Sequence, residues 1–188
     1  MCPLPPPSAR APSPPDRRRS GLLVAAGLLL LALGSALAAE LHLTGGISGL
    51  PLDDSWIHLV LARSLAAGDG LAFRPGELVT ASTAPLWTAL VALVEALPGA
   101  PFLPVKLLGA LLTLGALAAT HRLARALGLG AGLALLAALL FVTSDALLWA
   151  ALSGMEVPLF ALLATLGMAL QAEAAAGRRP PGSAPVLL

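Results

Sequence analysis

The sequence has no tyrosine, and its low content of charged residues and its single cysteine each exclude a class of protein. Only 11% of its 188 residues are charged while 57% are apolar, so too few polar side chains are present to cover a water-soluble globule. The single cysteine, Cys2, has no partner for an internal disulfide. A net charge of +1 with scattered basic residues excludes a nucleic-acid partner. The composition therefore indicates a membrane protein or a piece of one.

Long runs of Leu and Ala, which favour helix, predict an all-α polytopic membrane protein. We expect about four transmembrane helices, plus surface or re-entrant helices in the first external loop. The first apolar run ends at Glu40 and forms about 28 Å of helix, roughly one hydrocarbon thickness. The predicted spans are residues 21–39, 103–120, 129–148 and 157–172.

The chain divides into three predicted segments. Residues 1–20 are rich in proline, which opposes both helix and sheet, and are predicted to be a disordered cytoplasmic tail. Residues 21–175 form the transmembrane region, with an external loop at 40–102. Residues 176–188 are a second cytoplasmic tail or the start of a continuation of the chain.

The first apolar run has two interpretations. Ala36-Leu37-Ala38 fits the small-x-small pattern that precedes a signal-peptidase cut, which would leave a secreted protein. A retained anchor is preferred, because the run is long for a signal peptide and further membrane segments follow. In both interpretations Arg17, Arg18 and Arg19 stay in the cytoplasm and the chain from Glu40 onward lies outside.

The external loop is predicted to contain a short amphipathic helix at residues 53–67 that lies on the membrane surface. Asp53 is its predicted N-cap, and Gly68-Asp69-Gly70 ends it. A turn is predicted at 74–77. We interpret His58 as an interfacial side chain. The predicted apolar stripe of the helix comprises Trp56, Leu59, Val60 and Ser64.

Residues 85–97 form an apolar segment that is too short to cross a membrane. The segment covers about 20 Å and contains Glu95, so an interfacial or re-entrant helix is predicted. If this segment does not cross the membrane, the basic groups after the later spans all face the cytoplasm, as the positive-inside rule requires. These groups are His121, Arg122, Arg125, Arg178 and Arg179. The sequence thus predicts a multi-pass protein of the inner (plasma) membrane with a cytoplasmic N-terminus.

This topology places several charged side chains at the outer membrane boundary. Asp53 and Asp54 open the surface helix, Lys106 opens the second span, and Asp145 and Glu156 flank the outer end of the third. A charged side chain so close to hydrocarbon has a free-energy cost unless it is paired with an opposite charge or has a function. A carboxylate at a helix N-terminus can remove a proton from a sugar hydroxyl. The alternative is that Asp53 only caps the helix and Asp54 is a solvated acid.

Two motifs in the chain resemble those of a known family. The first combines an acid pair, a Gly-rich turn, a Pro-Gly-Glu turn and a Pro-Leu-Trp-Thr segment; the second is a Ser-Gly-Met-Glu turn. The matching residues are Asp53-Asp54, Ala67-Gly68-Asp69-Gly70, Phe73-Arg74-Pro75-Gly76-Glu77, Ser82-Thr83-Ala84-Pro85-Leu86-Trp87-Thr88 and Ser153-Gly154-Met155-Glu156. The chain thereby resembles polytopic GT-C glycosyltransferases, which include arabinofuranosyl-, mannosyl- and aminoarabinose transferases that use polyprenyl-phosphate sugars.

The resemblance implies transfer of a sugar from a polyprenyl-phosphate donor to an acceptor hydroxyl on the outer face of the membrane. It implies Asp53 as general base, Asp54 as its partner and Glu156 as a second acid. The acceptor is a glycan, a lipid or a protein, and membrane lipid surrounds the site. Family members carry many more spans, so the chain alone is expected to be an incomplete and inactive N-terminal portion.

The donor phosphate needs a cation, and Lys106 suits it as a point charge that stabilises the leaving group. Arg63 and Arg74 are alternates for this role, and Asp145 is a neighbour of the site. The sequence shows no cofactor motif and no metal ligand cluster, although a divalent cation bridging phosphate and carboxylate is compatible with the chemistry. The competing hypothesis is a non-catalytic membrane protein, either a transporter piece or an assembly partner, whose acids only cap helices.

Overall fold

A computed structural model of the chain describes residues 17–80, 82–95 and 102–177, and most of them are helical. The all-α fold class is therefore confirmed, with a small hairpin as the exception. In chain order the elements are α1 (Arg17–Leu43), α2 (Asp53–Ala66), β1 (Ala72–Arg74), β2 (Glu77–Leu78), α3 (Pro85–Glu95), α4 (Phe102–Ala126), α5 (Ala131–Val142), α6 (Asp145–Ser153) and α7 (Val157–Ala175).

Three of the described helices are long and apolar enough to cross a membrane, namely α1 from Gly21 to Leu43, α4 and α7. The helix at the predicted span 129–148 is broken, because Ala131–Phe141 and Asp145–Ser153 meet at 56°. Ser144, between them, has extended backbone, and short polar residues at such a point favour a helix start over a continuing helix. The described chain thus has three spans, or four if α5 and α6 cross as a bent pair.

Helices α4 and α7 lie side by side and run in the same direction. Leu162 packs over Gly115, and further along both helices Arg122 Nη2 lies 2.7 Å from Glu173 Oε2. Because parallel neighbours cannot be joined by a short turn, α5 and α6 return the chain between them. We call the end of the bundle where α1 and α6 end and α4 and α7 begin the loop end.

Helices α2 and α3 pack against each other at the loop end. Their shared apolar core also contains residues of α4 and α7, and its members include Leu59, Ala62, Trp87, Val91, Val105 and Leu159. Helix α3 has only 11 residues, so the short helix expected at 85–97 agrees with the structure as far as Glu95. The predicted end at Pro98-Gly99 lies outside the described residues.

The face of α2 that packs on the protein agrees with the predicted apolar stripe only at Leu59, which is 1% exposed. Trp56 and Val60 are 41% and 38% exposed, whereas Ser55 and His58 are 1% and 3% exposed. Ser55 and His58 find hydrogen-bonding partners on α6 and α3, which offsets the cost of burying polar groups. Apolar spacing alone therefore does not identify this face.

The boundaries of α2 follow the sequence closely. The helix begins at Asp53 with Leu52 as its N-cap, so the assignment of Asp53 as N-cap is wrong by one position. The helix ends at Ala66, and Gly68 follows with a φ of 88° that favours glycine. The turn predicted at 74–77 is present and joins β1 to β2, although the short strands were not predicted.

The predicted N-terminal tail overlaps the first helix. Since α1 begins at Arg17, the last four residues of the predicted segment 1–20 belong to this helix. The rest of that segment lies outside the described residues, as do Arg178, Arg179 and the chain beyond them.

Candidate functional site

The two motifs that resemble one family lie against each other at the loop end. Ser55 Oγ donates a hydrogen bond to Ser153 O at 2.7 Å, and Trp87 Nε1 donates one to Gly154 O at 3.0 Å. These pairs are 98 and 67 positions apart in the sequence. Gly154 has a φ of 80°, and a Cβ there would lie 2.8 Å from the Leu50 side chain. The turn that carries Glu156 is therefore fixed by α2, α3 and a glycine.

A cavity of about 690 Å³ opens at the loop end between α1, residues 47–51, α4 and α6. We call it the Lys106 cavity, because Lys106 and Glu40 are the charged residues of its described lining. The rest of the lining is mostly apolar and includes Ala36, Leu50, Pro51, Leu148, Trp149 and Leu152. Its composition suits a largely apolar molecule.

Lys106 is 1% exposed and forms an ion pair with Glu40 near the end of α1. Its Nζ lies 2.5 Å from Glu40 Oε2 and also contacts Oε1. Gly49 N and Ser48 Oγ each donate to Glu40 Oε1 at 3.4 Å. A buried ammonium without such a partner would carry a cost of several kcal/mol. An anion that enters this cavity therefore meets a lysine whose charge Glu40 already balances.

Asp53 and Asp54 are exposed in the first turn of α2, where the helix dipole favours negative charge. Asp53 Oδ1 accepts a hydrogen bond from Asp54 N at 3.0 Å. Two residues before Asp53, Pro51 lines the Lys106 cavity, and two residues after it Ser55 bonds Ser153. In the part of the chain that the structure describes, Lys106 pairs with Glu40 and neither carboxylate forms an ion pair with Lys106.

A second cavity of about 470 Å³ lies between the start of α3 and the start of α7. We call it the Glu156 cavity after the charged residue of its described lining, which is otherwise mostly apolar and includes Thr83, Pro85, Trp87, Phe160 and Leu163. Glu156 Oε2 lies 3.4 Å from His58 Nε2. His58 is 3% exposed, so its interpretation as an interfacial side chain is wrong.

The other predicted binding residues are not part of the described lining of either cavity. Arg63 Nε donates to Glu95 Oε2 at 3.1 Å and so joins α2 to α3, while Arg74 is exposed on β1. Asp145 is exposed at the start of α6, where its Oδ1 accepts a bond from Ala146 N. Since α6 is about 13 Å long, Asp145 and Glu156 lie at opposite ends of it. The expectation that both flank one end of a span is therefore wrong.

The partners of the charged residues were not predicted. Glu40 ends one apolar run and Lys106 opens another, and opposite charges beside hydrocarbon tend to pair. This signal was present in the sequence, but it does not show which of several acids meets the lysine. The partnership of His58 with Glu156 has no local signal, because it depends on how α2 packs against the start of α7.

Among residues 17–80, 82–95 and 102–177, no group of three or more His, Cys, Asp or Glu side chains is placed to hold a metal ion. No protein-family model, curated protein or solved structure matches the chain. The family resemblance therefore rests on the two motifs.

Proposed function

We propose that this chain is a membrane glycosyltransferase, or the N-terminal part of one, that transfers a sugar from a polyprenyl-phosphate donor to an acceptor hydroxyl. The observation that carries the proposal is the contact between the two motifs, through Ser55 with Ser153 and Trp87 with Gly154. Two distant segments that resemble one family meet where the spans begin. This supports a common site at that end of the bundle.

The physical demands of the reaction favour the same place. A polyprenyl chain needs hydrocarbon, its phosphate lies at the level of the lipid headgroups, and the acceptor arrives from water. The Lys106 cavity lies where α4 begins and combines apolar walls with a buried ammonium. We infer that the donor phosphate binds Lys106 there and that Glu40 balances the lysine charge when the donor is absent.

In the proposed reaction Asp53 takes the proton of the acceptor hydroxyl. The hydroxyl oxygen then forms a bond to the anomeric carbon, and the bond from that carbon to the phosphate oxygen breaks. The electron pair leaves with polyprenyl phosphate, whose charge Lys106 stabilises. Asp54 is the partner of the base and Glu156 is a second acid. Arg63 is not part of this proposal, because it does not line the Lys106 cavity.

The test is a transfer assay on the whole reading frame in native membranes. Labelled polyprenyl-phosphate arabinose, mannose and aminoarabinose are supplied in turn, and the release of polyprenyl phosphate is measured. Asp53→Asn should lower transfer by about 10²-fold or more, because it removes the base. The matched control is Asp69→Asn, at an exposed aspartate just after α2, and should retain activity. Full activity in Asp53→Asn, or no turnover of any donor by the wild type, would overturn the proposal.

A non-catalytic membrane protein is the second candidate, and one observation favours it. Lys106 and Glu156 both have partners within the chain, as residues of a purely structural role would have. This candidate predicts that the wild type transfers no sugar and that Asp53→Asn and Glu156→Gln alter only stability. The same transfer assay separates the two functions.

A further inference from the structure

A chain of four polar side chains runs between α2, α3 and the start of α7. Ser82 Oγ lies 2.9 Å from Thr88 Oγ1, and Thr88 Oγ1 lies 3.0 Å from His58 Nδ1. On its other side His58 Nε2 faces Glu156 Oε2 at 3.4 Å. Thr88 is 0% and His58 3% exposed, so the protons of these groups must be shared within the chain.

The hydroxyl of Thr88 limits where the histidine protons can lie. Ala84 O lies 3.3 Å from Thr88 Oγ1 and can only accept a proton. If Thr88 donates to Ala84 O, then His58 Nδ1 must be the donor to Thr88. His58 Nε2 and Glu156 Oε2 would then be two acceptors face to face, which is unfavourable unless a proton lies between them.

The opposite assignment leads to the same result. If Thr88 instead donates to His58 Nδ1, a neutral imidazole carries its proton on Nε2, which again points to Glu156 Oε2. Either arrangement places one proton between the histidine and the carboxyl group. The arrangements differ only in whether His58 Nδ1 also carries a proton.

We propose that His58 Nε2 carries a proton that it shares with Glu156 Oε2, and that His58 is thereby the positioning residue of Glu156. Among the described residues, Glu156 Oε2 is buried and has no hydrogen-bond partner, so the shared proton is what holds it toward the protein interior. The Glu156 side chain as a whole is 30% exposed and lines the Glu156 cavity. The exposed part of the Glu156 side chain is thus held at the cavity wall, where it contacts a hydroxyl group of the ligand. Only this last role rests on the proposed function.

The first experiment detects the shared proton without any substrate. The full chain is labelled with ¹⁵N-histidine in lipid nanodiscs, and the His58 signals are identified by their loss in His58→Gln. Because ¹⁵N spectra distinguish protonated from unprotonated ring nitrogens, the wild type should show a proton on Nε2 of His58. An unprotonated Nε2 in the wild type overturns the proposal.

A variant of the carboxyl partner tests the pairing itself. Glu156→Leu should move the His58 proton to Nδ1, because only Thr88 is then left to bond. The control Glu77→Leu, at an exposed glutamate of β2, should leave the His58 signals in place. The signals of His42 and His121 report whether the variant is folded, and Glu156→Ala, which also lacks an acceptor, serves if Glu156→Leu is not. An unchanged His58 spectrum in the folded variant contradicts the pair.

A second measurement tests the positioning role in the transfer assay. His58→Gln should lower kcat by about 10-fold or more and leave the KM for the donor unchanged, since the donor binds at Lys106. An unchanged kcat overturns the positioning role and leaves the proposed function standing. A wild type without transfer activity overturns the proposed function and leaves the spectroscopic result valid.

Discussion

The main-chain carbonyls of Ser153 and Gly154 each accept a hydrogen bond from a distant buried side chain. Helix α6 ends at Ser153, so no following turn of that helix supplies main-chain N–H groups to donate to these carbonyls. Ser55 and Trp87 supply the missing donors. Because a buried carbonyl without a donor costs about 1–3 kcal/mol, these two bonds help to hold the turn that leads to Glu156.

We expect Trp87→Phe to destabilise the protein by about 1–3 kcal/mol, because it removes the donor to Gly154 O while keeping an aromatic ring. The free energy of unfolding is measured in detergent by far-ultraviolet circular dichroism during a denaturant titration. Trp149→Phe is the matched control, since Trp149 is 52% exposed, and should change stability by about 0.5 kcal/mol or less. Equal losses in the two variants would contradict the role of the hydrogen bond.

The ion pair between Lys106 and Glu40 is predicted to respond unequally to removal of its members. Lys106 is 1% exposed and the Glu40 side chain 26%, so water can compensate an unpaired Glu40 but not an unpaired Lys106. Glu40→Gln should therefore cost about 3–5 kcal/mol and Lys106→Met less. The double variant should lose less stability than the sum of the losses in the two single variants. Additive losses in this double-mutant cycle would show that the two charges do not interact.

At the residue scale the sequence identifies positions better than partners. Lys106 and Glu156 attract notice because charges beside apolar helices are costly and so need a purpose. Their partners depend on packing between distant elements. The sequence therefore does not identify Glu40 as the partner of Lys106 or His58 as the partner of Glu156. Arg63 likewise has a partner that the sequence did not identify, Glu95 on α3.

At the scale of elements, α4 and α6 approach each other at a glycine. A Cβ on Gly109 would overlap Ala151 O, so only glycine permits this close approach of the two helices. Small residues at such crossings are typical of helices that pack within membranes, where close contact between backbones replaces the hydrophobic effect.

Gly109→Ala should force α4 and α6 apart and destabilise the protein by about 1–3 kcal/mol. The matched control is Gly132→Ala in α5, where a Cβ would meet nothing within 4 Å. That variant should leave stability unchanged or raise it by up to about 1 kcal/mol, because alanine favours helix. Denaturant titration of both proteins gives the comparison, and a Gly109→Ala protein as stable as the control would exclude the tight crossing.

The elements themselves are mostly predictable, because the length of an apolar run determines whether a helix can span a bilayer. Helices α1, α4 and α7 follow from this rule. The break between α5 and α6 does not, since the apolar run at 129–148 continues through it. Its only local signal is Thr143-Ser144-Asp145, three short polar residues that favour helix ends.

At the scale of the whole molecule, the directions of the helices determine how often the chain crosses. The contacts of Gly115 with Leu162 and of Arg122 with Glu173 make α4 and α7 parallel. The chain must therefore return from the end of α4 to the start of α7, and α5 with α6 provides about 30 Å of helix for this. That length equals the hydrocarbon thickness of a bilayer. We infer that the bent pair crosses once, which makes four crossings.

Four crossings place residues 77 and 176 on opposite sides of the membrane, because one crossing precedes the first and all four precede the second. In a Cys2→Ser background, Glu77→Cys should react with an impermeant maleimide on intact cells, and Ala176→Cys only after permeabilisation. The direction follows from Arg122 and Arg125, which lie at the end of the bundle opposite the loop end and favour the cytoplasm. Reaction of both cysteines on intact cells would mean that α5 and α6 enter and leave on one side, which the parallel packing of α4 and α7 does not allow.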